Sequence, residues 1–251
     1  MKNDKWIILV FVLFYLAGCA APPTGSEAYK GKPPQEIFVK GERSLSKKHF
    51  KEAVAEFEAF DALYPFDPRA EQTQVDLIYA YYKAGDPDSA IAASDRYIRL
   101  YPMSPKIAYV YYLRGVVNMD RNISWIYNAF PCDPAKRDLA SLSHAFVDFQ
   151  RLLQLYPSCI YAADAQKRMV HIKNLLARHE LQIAEFYFNR HAYVAAANRA
   201  SYIVQHLPGT PQVPTALVIM VKSYRALGDD ELANDALEVL KVNYPNETKR
   251  L

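Results

Sequence analysis

Glycine and cysteine are both scarce in this chain of 251 residues, with eight of the first and three of the second. So few glycines exclude a collagen-like chain or a glycine-rich linker, and those present are too dispersed to cradle a phosphate. No Cys-x-x-Cys pair occurs, which removes the usual framework of a zinc site. The histidines (His49, His144, His171, His179, His191 and His206) are scattered. His179-Glu180 opens a His-Glu-x-x-His metal pattern that fails at Ile183. There is no Gly-x-Ser-x-Gly nucleophile turn. Lysine and arginine form no run of five or more, and the net charge is only +3, so the electrostatic footprint of a nucleic-acid binder is missing. The expectation is a protein without a catalytic residue, a metal ligand or a cofactor, and without a nucleic-acid partner. With 51% apolar residues, a disordered chain is excluded as well.

Long apolar runs are also rare, and the clearest one is informative. Trp6 to Leu16 is uninterrupted, follows Lys2 and Lys5, and leads into Leu16-Ala17-Gly18-Cys19. A basic start, an apolar core too short to span a bilayer, and small residues before a cut site define a secretory signal, here residues 1–18. The closing tetrad resembles the bacterial lipobox. That resemblance implies cleavage before Cys19, an S-linked diacylglycerol on its thiol and an N-linked acyl chain. Two acyl chains suffice for stable membrane attachment. Ala20 stands where an Asp would resemble the inner-membrane retention signal. The expected location is therefore the periplasmic face of the outer membrane, held by lipid. Residues 19–33, with Pro22, Pro23, Gly25, Gly31 and Pro33, read as a lipidated flexible tether. Two further thiols, Cys132 and Cys159, would meet an oxidising compartment. They are either bridged or isolated, because spacing alone does not decide whether their Cα atoms approach.

Proline and tyrosine are plentiful, at sixteen and nineteen. Five prolines close segments of one design: Tyr64-Pro65, Tyr101-Pro102, Tyr156-Pro157, Leu207-Pro208 and Tyr244-Pro245. Twelve residues before each stands an alanine: Ala53, Ala90, Ala145, Ala196 and Ala233. Five residues before each stands a bulky apolar residue: Phe60, Tyr97, Leu152, Ile203 and Leu240. Proline cannot continue a helix and pushes its predecessor toward an extended conformation. The alanine permits close helix approach, and the bulky residue follows two turns later on the same face. Gly85 and Gly228 read as left-handed caps that end the first helix of a pair. Tyr81, Tyr187 and Tyr224 each lie twenty-one residues before a repeat proline. The pattern resembles the tetratricopeptide repeat, a helix–turn–helix unit. The expected fold is all-α, a right-handed α-solenoid of five tetratricopeptide-like helix pairs.

The proline spacings are 37, 55, 51 and 37, so the two middle repeats are enlarged. In the third, the first helix reads as Ile107 to Asp120 with Gly115 at a close-packing position. A polar, proline-containing loop follows, over about 122–138. In the fourth, Tyr161 to Asn189 contains neither proline nor glycine and keeps a helical period. An excess of 14 residues over 37 is close to four helical turns, which predicts one long helix over about 160–190.

Several stretches resemble the BamD family, the lipoproteins of the β-barrel assembly machinery in Gram-negative outer membranes. They are Tyr64-Pro65-Phe66, the segment from Asp76 to Lys83, that from Asp95 to Leu100, Tyr112 to Gly115, Tyr156 to Ser158, and Ala196 to Arg199. The resemblance implies that repeats four and five (158–251) dock on the membrane-proximal POTRA domain of a BamA-like barrel insertase. It implies that repeats one to three (34–157) receive the targeting segment of unfolded outer-membrane β-barrel substrates, and that other Bam lipoproteins join the assembly. Candidate substrate contacts are Asp76, Tyr79, Tyr82, Arg96 and Arg114. Tyrosines would supply apolar contact while the charged groups take up backbone amides of an extended segment. Candidate insertase-docking residues are Arg190, Asn198 and Arg199. Arg199 in particular suits a bidentate pair with a POTRA carboxylate. Read from the repeats alone, a pilotin or a cell-wall complex adaptor is the other scaffold compatible with this chain. A peptidoglycan-acting enzyme would need a carboxylate pair in a cleft, and the repeats leave no second domain for one.

Overall fold

The structure, a computed structural model, describes residues 25–121 and 139–251. Cys19, the signal segment, and the third-repeat loop with Cys132 lie outside the described residues, and so does the question of a Cys132–Cys159 bridge. Ten α-helices and two short 3-10 turns make up the regular structure among the described residues, with no strand. The helices are α1 (Pro34–Ser46), α2 (Phe50–Leu63), α3 (Ala70–Ala84), α4 (Pro87–Leu100), α5 (Ile107–Asp120), α6 (Ala140–Leu155), α7 (Ala162–Asn189), α8 (Tyr193–His206), α9 (Val213–Leu227) and α10 (Asp230–Asn243). They fall into two compact units, one ending at Asp86 and the other running from Pro87 to Leu251. In the first, α1 packs on α2 and α2 on α3. In the second, each helix from α4 to α10 packs on its chain neighbour, and α7 also reaches α9.

The repeat positions are the core. Ala53, Ala90, Ala145 and Ala196 are wholly buried, as are Phe60, Tyr97, Leu152, Ile203 and Leu240. Before four of the five closing prolines, one residue is seen to leave the helical conformation: Tyr64, Tyr156, Leu207 and Tyr244 have φ between −123 and −140°. Its N–H still reaches the carbonyl four residues back, at Phe60, Leu152, Ile203 and Leu240 respectively. The last helical hydrogen bond is therefore made before proline forbids the next.

The first helices of four repeats end in a common hydrogen bond from a residue two or three positions past the helix to a carbonyl five residues back. The pairs are His49 to Ser44, Asp86 to Tyr81, Ala192 to Tyr187, and Asp229 to Tyr224, at 2.9 to 3.0 Å. Each needs a left-handed residue just before the donor. Gly85 and Gly228 fill that place, with φ of 84° and 75°. Lys48 and His191 fill it in the other two, at φ 62° and 60°. All four stand seventeen residues before their repeat's proline. The glycine-based reading found only two of them.

Two other glycines are required by proximity. A Cβ on Gly115 would lie 2.6 Å from the Phe149 ring, and one on Gly41 would lie 2.5 Å from the Phe57 ring. Both rings are fully buried. The long helix expected over 160–190 is α7, 28 residues in length. Its first half packs against the third repeat: Asp164 accepts from the Tyr112 hydroxyl at 2.7 Å, and the Tyr161 ring stacks on Tyr112 at 4.9 Å. Its second half carries Ala177 and Ala184 into the cluster built by Ala196, Ile203 and Leu217.

The tether is shorter than the sequence suggested. Gly25–Tyr29 forms a 3-10 turn that packs on α2, and Tyr29 sits against the first unit's core. The Tyr64 hydroxyl donates to the Lys32 carbonyl. An aromatic ring and a backbone hydrogen bond hold residues that composition alone marks as flexible.

Candidate binding surfaces

The sequence-proposed substrate residues divide between the two units. In the first, Asp76, Tyr79 and Tyr82 lie on α3 at spacings of three, all half-buried. The Tyr79 ring meets Phe50 and Tyr82 edge-on, each at 6.4 Å. The Lys83 ammonium covers Tyr82 at 4.4 Å and Tyr79 at 5.6 Å. Asp76 accepts from the Gln72 side chain at 2.9 Å. Together these form a small aromatic surface with a cation over it and a carboxylate one turn away. Such a surface takes an aromatic or amphipathic side chain, since ring edges and a cation both favour a π face. Tyr81 points elsewhere: it donates to Glu58, and burial, then that carboxylate, pushes its pKa far up. It is a helix-packing tyrosine.

In the second unit, Arg96 is exposed on α4. Arg114 on α5 is committed to internal partners. Its Nε donates to Asp148 at 2.9 Å, and a terminal nitrogen pairs with Asp95. Asn118 donates to the other oxygen of Asp148 at 2.7 Å. Burial works against the Arg114 charge, but the two carboxylates more than offset it and hold its pKa up. Burial also raises the pKa of Asp148, against the pull of Arg114 and Asn118. This clasp joins α4, α5 and α6 beside a cleft of about 380 Å³ lined by Ile91, Asp95, Arg114, Asn118, His144 and Asp148. Asp148 had a readable signal. It falls in the buried stripe of Ala145, Phe149 and Leu152, where an acid needs a partner.

Toward the C-terminus, Arg199 on α8 pairs with Glu180 of α7 at 3.0 Å while keeping about half of its side chain exposed (48%). Asn198 beside it is exposed. Arg190 follows the end of α7 and stacks over Phe186 at 4.3 Å. Three exposed large apolar residues join them: Phe186, Val194 and Tyr202. Val194, Asn198 and Tyr202 are spaced by four on α8 and so share a face. Exposed apolar and aromatic groups beside arginines match the composition of protein interfaces. Sequence reasoning found the arginines and Asn198 but missed this apolar stripe, because exposure and core both show helical spacing.

The outer membrane lipoprotein family YfiO matches residues 30–240, which span both units. An outer membrane protein assembly factor BamD from Xylella fastidiosa is 34% identical over 239 residues, covering 95% of this chain and 81% of its own. The BamD of Vibrio cholerae is 34% identical over 234 residues, covering 93% and 96%. This chain belongs to the BamD family. Among solved structures it is similar to a Podosopora anserina kinesin light chain type protein with nearly identical TPR-like repeats. That similarity is 13% identity and a TM-score of 0.41, over 84% of this chain and 96% of the other. The BamD relatives are named as assembly factors and not as enzymes. No helix among the described residues is long and apolar enough to cross a membrane.

Proposed function

We propose that this chain is a non-catalytic lipoprotein subunit of the β-barrel assembly machinery, anchored through Cys19 to the periplasmic face of the outer membrane. Repeats four and five, 158–251, dock on the POTRA domain of a BamA-like insertase. Repeats one to three, 34–157, receive unfolded outer-membrane barrel segments, and other Bam lipoproteins complete the assembly. The observation that carries this reading is the match, over 95% of the chain, to named outer membrane protein assembly factors.

The docking face is assigned to Arg199, Asn198 and Arg190 with the exposed Val194, Tyr202 and Phe186 around them. The Arg199 guanidinium, half in solvent with one internal carboxylate partner, retains N–H donors for a bidentate contact. On the substrate side, the aromatic surface of Tyr79 and Tyr82 with Asp76 is the leading candidate, and Arg96 is a separate one. Arg114 acts as a positioning residue through its clasp. The test is purification of the C-terminally tagged chain from gently solubilised envelopes, as wild type and as Arg199→Glu. A large barrel protein with POTRA domains accompanies the wild type and is lost with the variant. Its retention by both would move the docking face elsewhere. Recovery of a secretin or of cell-wall enzymes in its place would overturn the assembly reading.

A further inference from the structure

Between residues 30 and 51 the chain carries seven lysines and arginines against two acids, Glu36 and Glu42. Three of the cations are paired within the first unit: Lys30 with Glu27 at 3.2 Å, Lys32 with Glu36 at 3.5 Å, and Lys40 with Glu56 at 3.1 Å. Arg43, Lys47, Lys48 and Lys51 are exposed, and none has an ion-pair partner among the described residues. Their placement is ordered. Lys40, Arg43 and Lys47, at spacings of three and four along α1 and its C-cap, form one stripe that flanks the buried face of Ile37, Phe38 and Gly41. Lys48 follows in the α1–α2 turn and Lys51 in the first turn of α2, so five cations fall within twelve residues.

We infer that this stripe seats on the anionic phospholipid headgroups of the membrane that holds the Cys19 acyl chains; the inference rests on the lipid-anchored reading above. The path of the chain supports this occupant. The ammonium of Lys40 lies 5.2 Å over the Tyr29 ring, so the segment leading to Cys19 passes beside the start of the stripe. Six residues, 19–24, separate the acylated position from Gly25, a reach of at most about 20 Å. The acyl chains therefore hold this part of α1 near the bilayer surface, and the stripe extends from Lys40 roughly 10 Å along the helix to its C-terminal end. Its chemistry suits headgroups better than a protein. Among the described residues, no large apolar side chain is exposed between 30 and 51. Protein hot spots depend on buried aromatic or aliphatic anchors, whereas a field of flexible cations needs only negative charge.

The test uses the mature chain carrying Cys19→Ser, so that acyl insertion does not mask headgroup binding. It is floated with vesicles of phosphatidylcholine alone and of phosphatidylcholine mixed with phosphatidylglycerol. Each cation near an anionic surface is worth about fivefold in partitioning. The wild-type body floats with the anionic vesicles only, and added salt releases it. Replacing Arg43, Lys47, Lys48 and Lys51 together by Gln weakens binding on the order of a hundredfold or more. A charge-conserving variant, Lys47→Arg with Lys48→Arg and Lys51→Arg, binds as wild type does, which separates charge from folding. Absence of wild-type binding, or equal binding by the Gln variant, overturns the inference. So does loss of a co-purified envelope protein from the Gln variant when no vesicle binding is seen, since the stripe would then be a protein-docking surface. Radiolabelled palmitate incorporation at Cys19 is read separately. Labelling without vesicle binding sinks only the headgroup contact, while absent labelling sinks the anchored reading itself.

Discussion

Gly115→Ala adds one methyl group to the middle of α5. On an exposed helix the change would stabilise by about 1 kcal/mol, because alanine is the better helix former. Here the new Cβ would stand 2.6 Å from Cε1 of Phe149 and 2.9 Å from both Cδ1 and Cζ. Carbon–carbon contacts are optimal near 3.5–4.0 Å, so roughly 1 Å of overlap has to be relieved. Phe149 is fully buried and its ring already packs against Tyr112, with centroids 6.1 Å apart. Overpacking of this kind costs about 1–3 kcal/mol; against a fully buried ring the cost falls in the upper part of that range, about 2–3 kcal/mol, and leaves a net loss near 1–2 kcal/mol after the propensity gain. For a body of this size that lowers Tm by roughly 3–6 °C, measured by circular dichroism on the mature chain. Gly41→Ala is the matching change in the first unit, against Phe57. Gly115→Ala combined with Phe149→Leu loses less than the sum of the single changes, by about 1 kcal/mol or more, since the smaller side chain vacates the overlap. A Gly115→Ala protein that melts at or above the wild-type temperature would refute the close-approach reasoning.

Two other perturbations follow from the same structure. Lys48→Gly and His191→Gly remove a side chain from a left-handed position, and each raises stability by about 0.5–1 kcal/mol in denaturant titrations. The gain is smaller at His191, whose ring also hydrogen-bonds the Tyr193 hydroxyl at 2.8 Å. A loss at Lys48 would contradict the cap assignment. Asp148→Ala leaves Arg114 partly buried with Asp95 alone, and destabilises by about 3 kcal/mol. Arg114→Met with Asp148→Leu recovers most of that loss. If the double variant is no better than the single, the clasp is not an isolated ion-pair unit.

Much of this architecture was legible along the chain. The proline stops, the buried alanines, the bulky residues two turns on, and the uninterrupted α7 follow from rules that act within a few residues. A proline ends a helix wherever it stands, and an insertion of whole turns keeps a helix in phase. Gly115 was readable for the same reason. The left-handed caps were half legible: a search for glycine finds Gly85 and Gly228, but Lys48 and His191 hold the same conformation because the turn's hydrogen bonds impose it.

The site was less legible than the fold. Tyr79, Tyr82, Arg114 and Arg199 stand out in the sequence by type and place alone. Which of them are already occupied was settled by helices meeting in space. Arg114 meets Asp148 thirty-four residues away, and Arg199 meets Glu180 nineteen residues back on another helix. Residues 25–32, marked as linker by composition, are held where the Tyr29 ring packs on the first unit's core and the Tyr64 hydroxyl donates to the Lys32 carbonyl. Local spacing therefore settles where helices begin, end and turn their apolar faces, because backbone sterics and helical phase act within a turn or two. Burial and partnership depend on distances between helices, and those appear only once the pairs have packed.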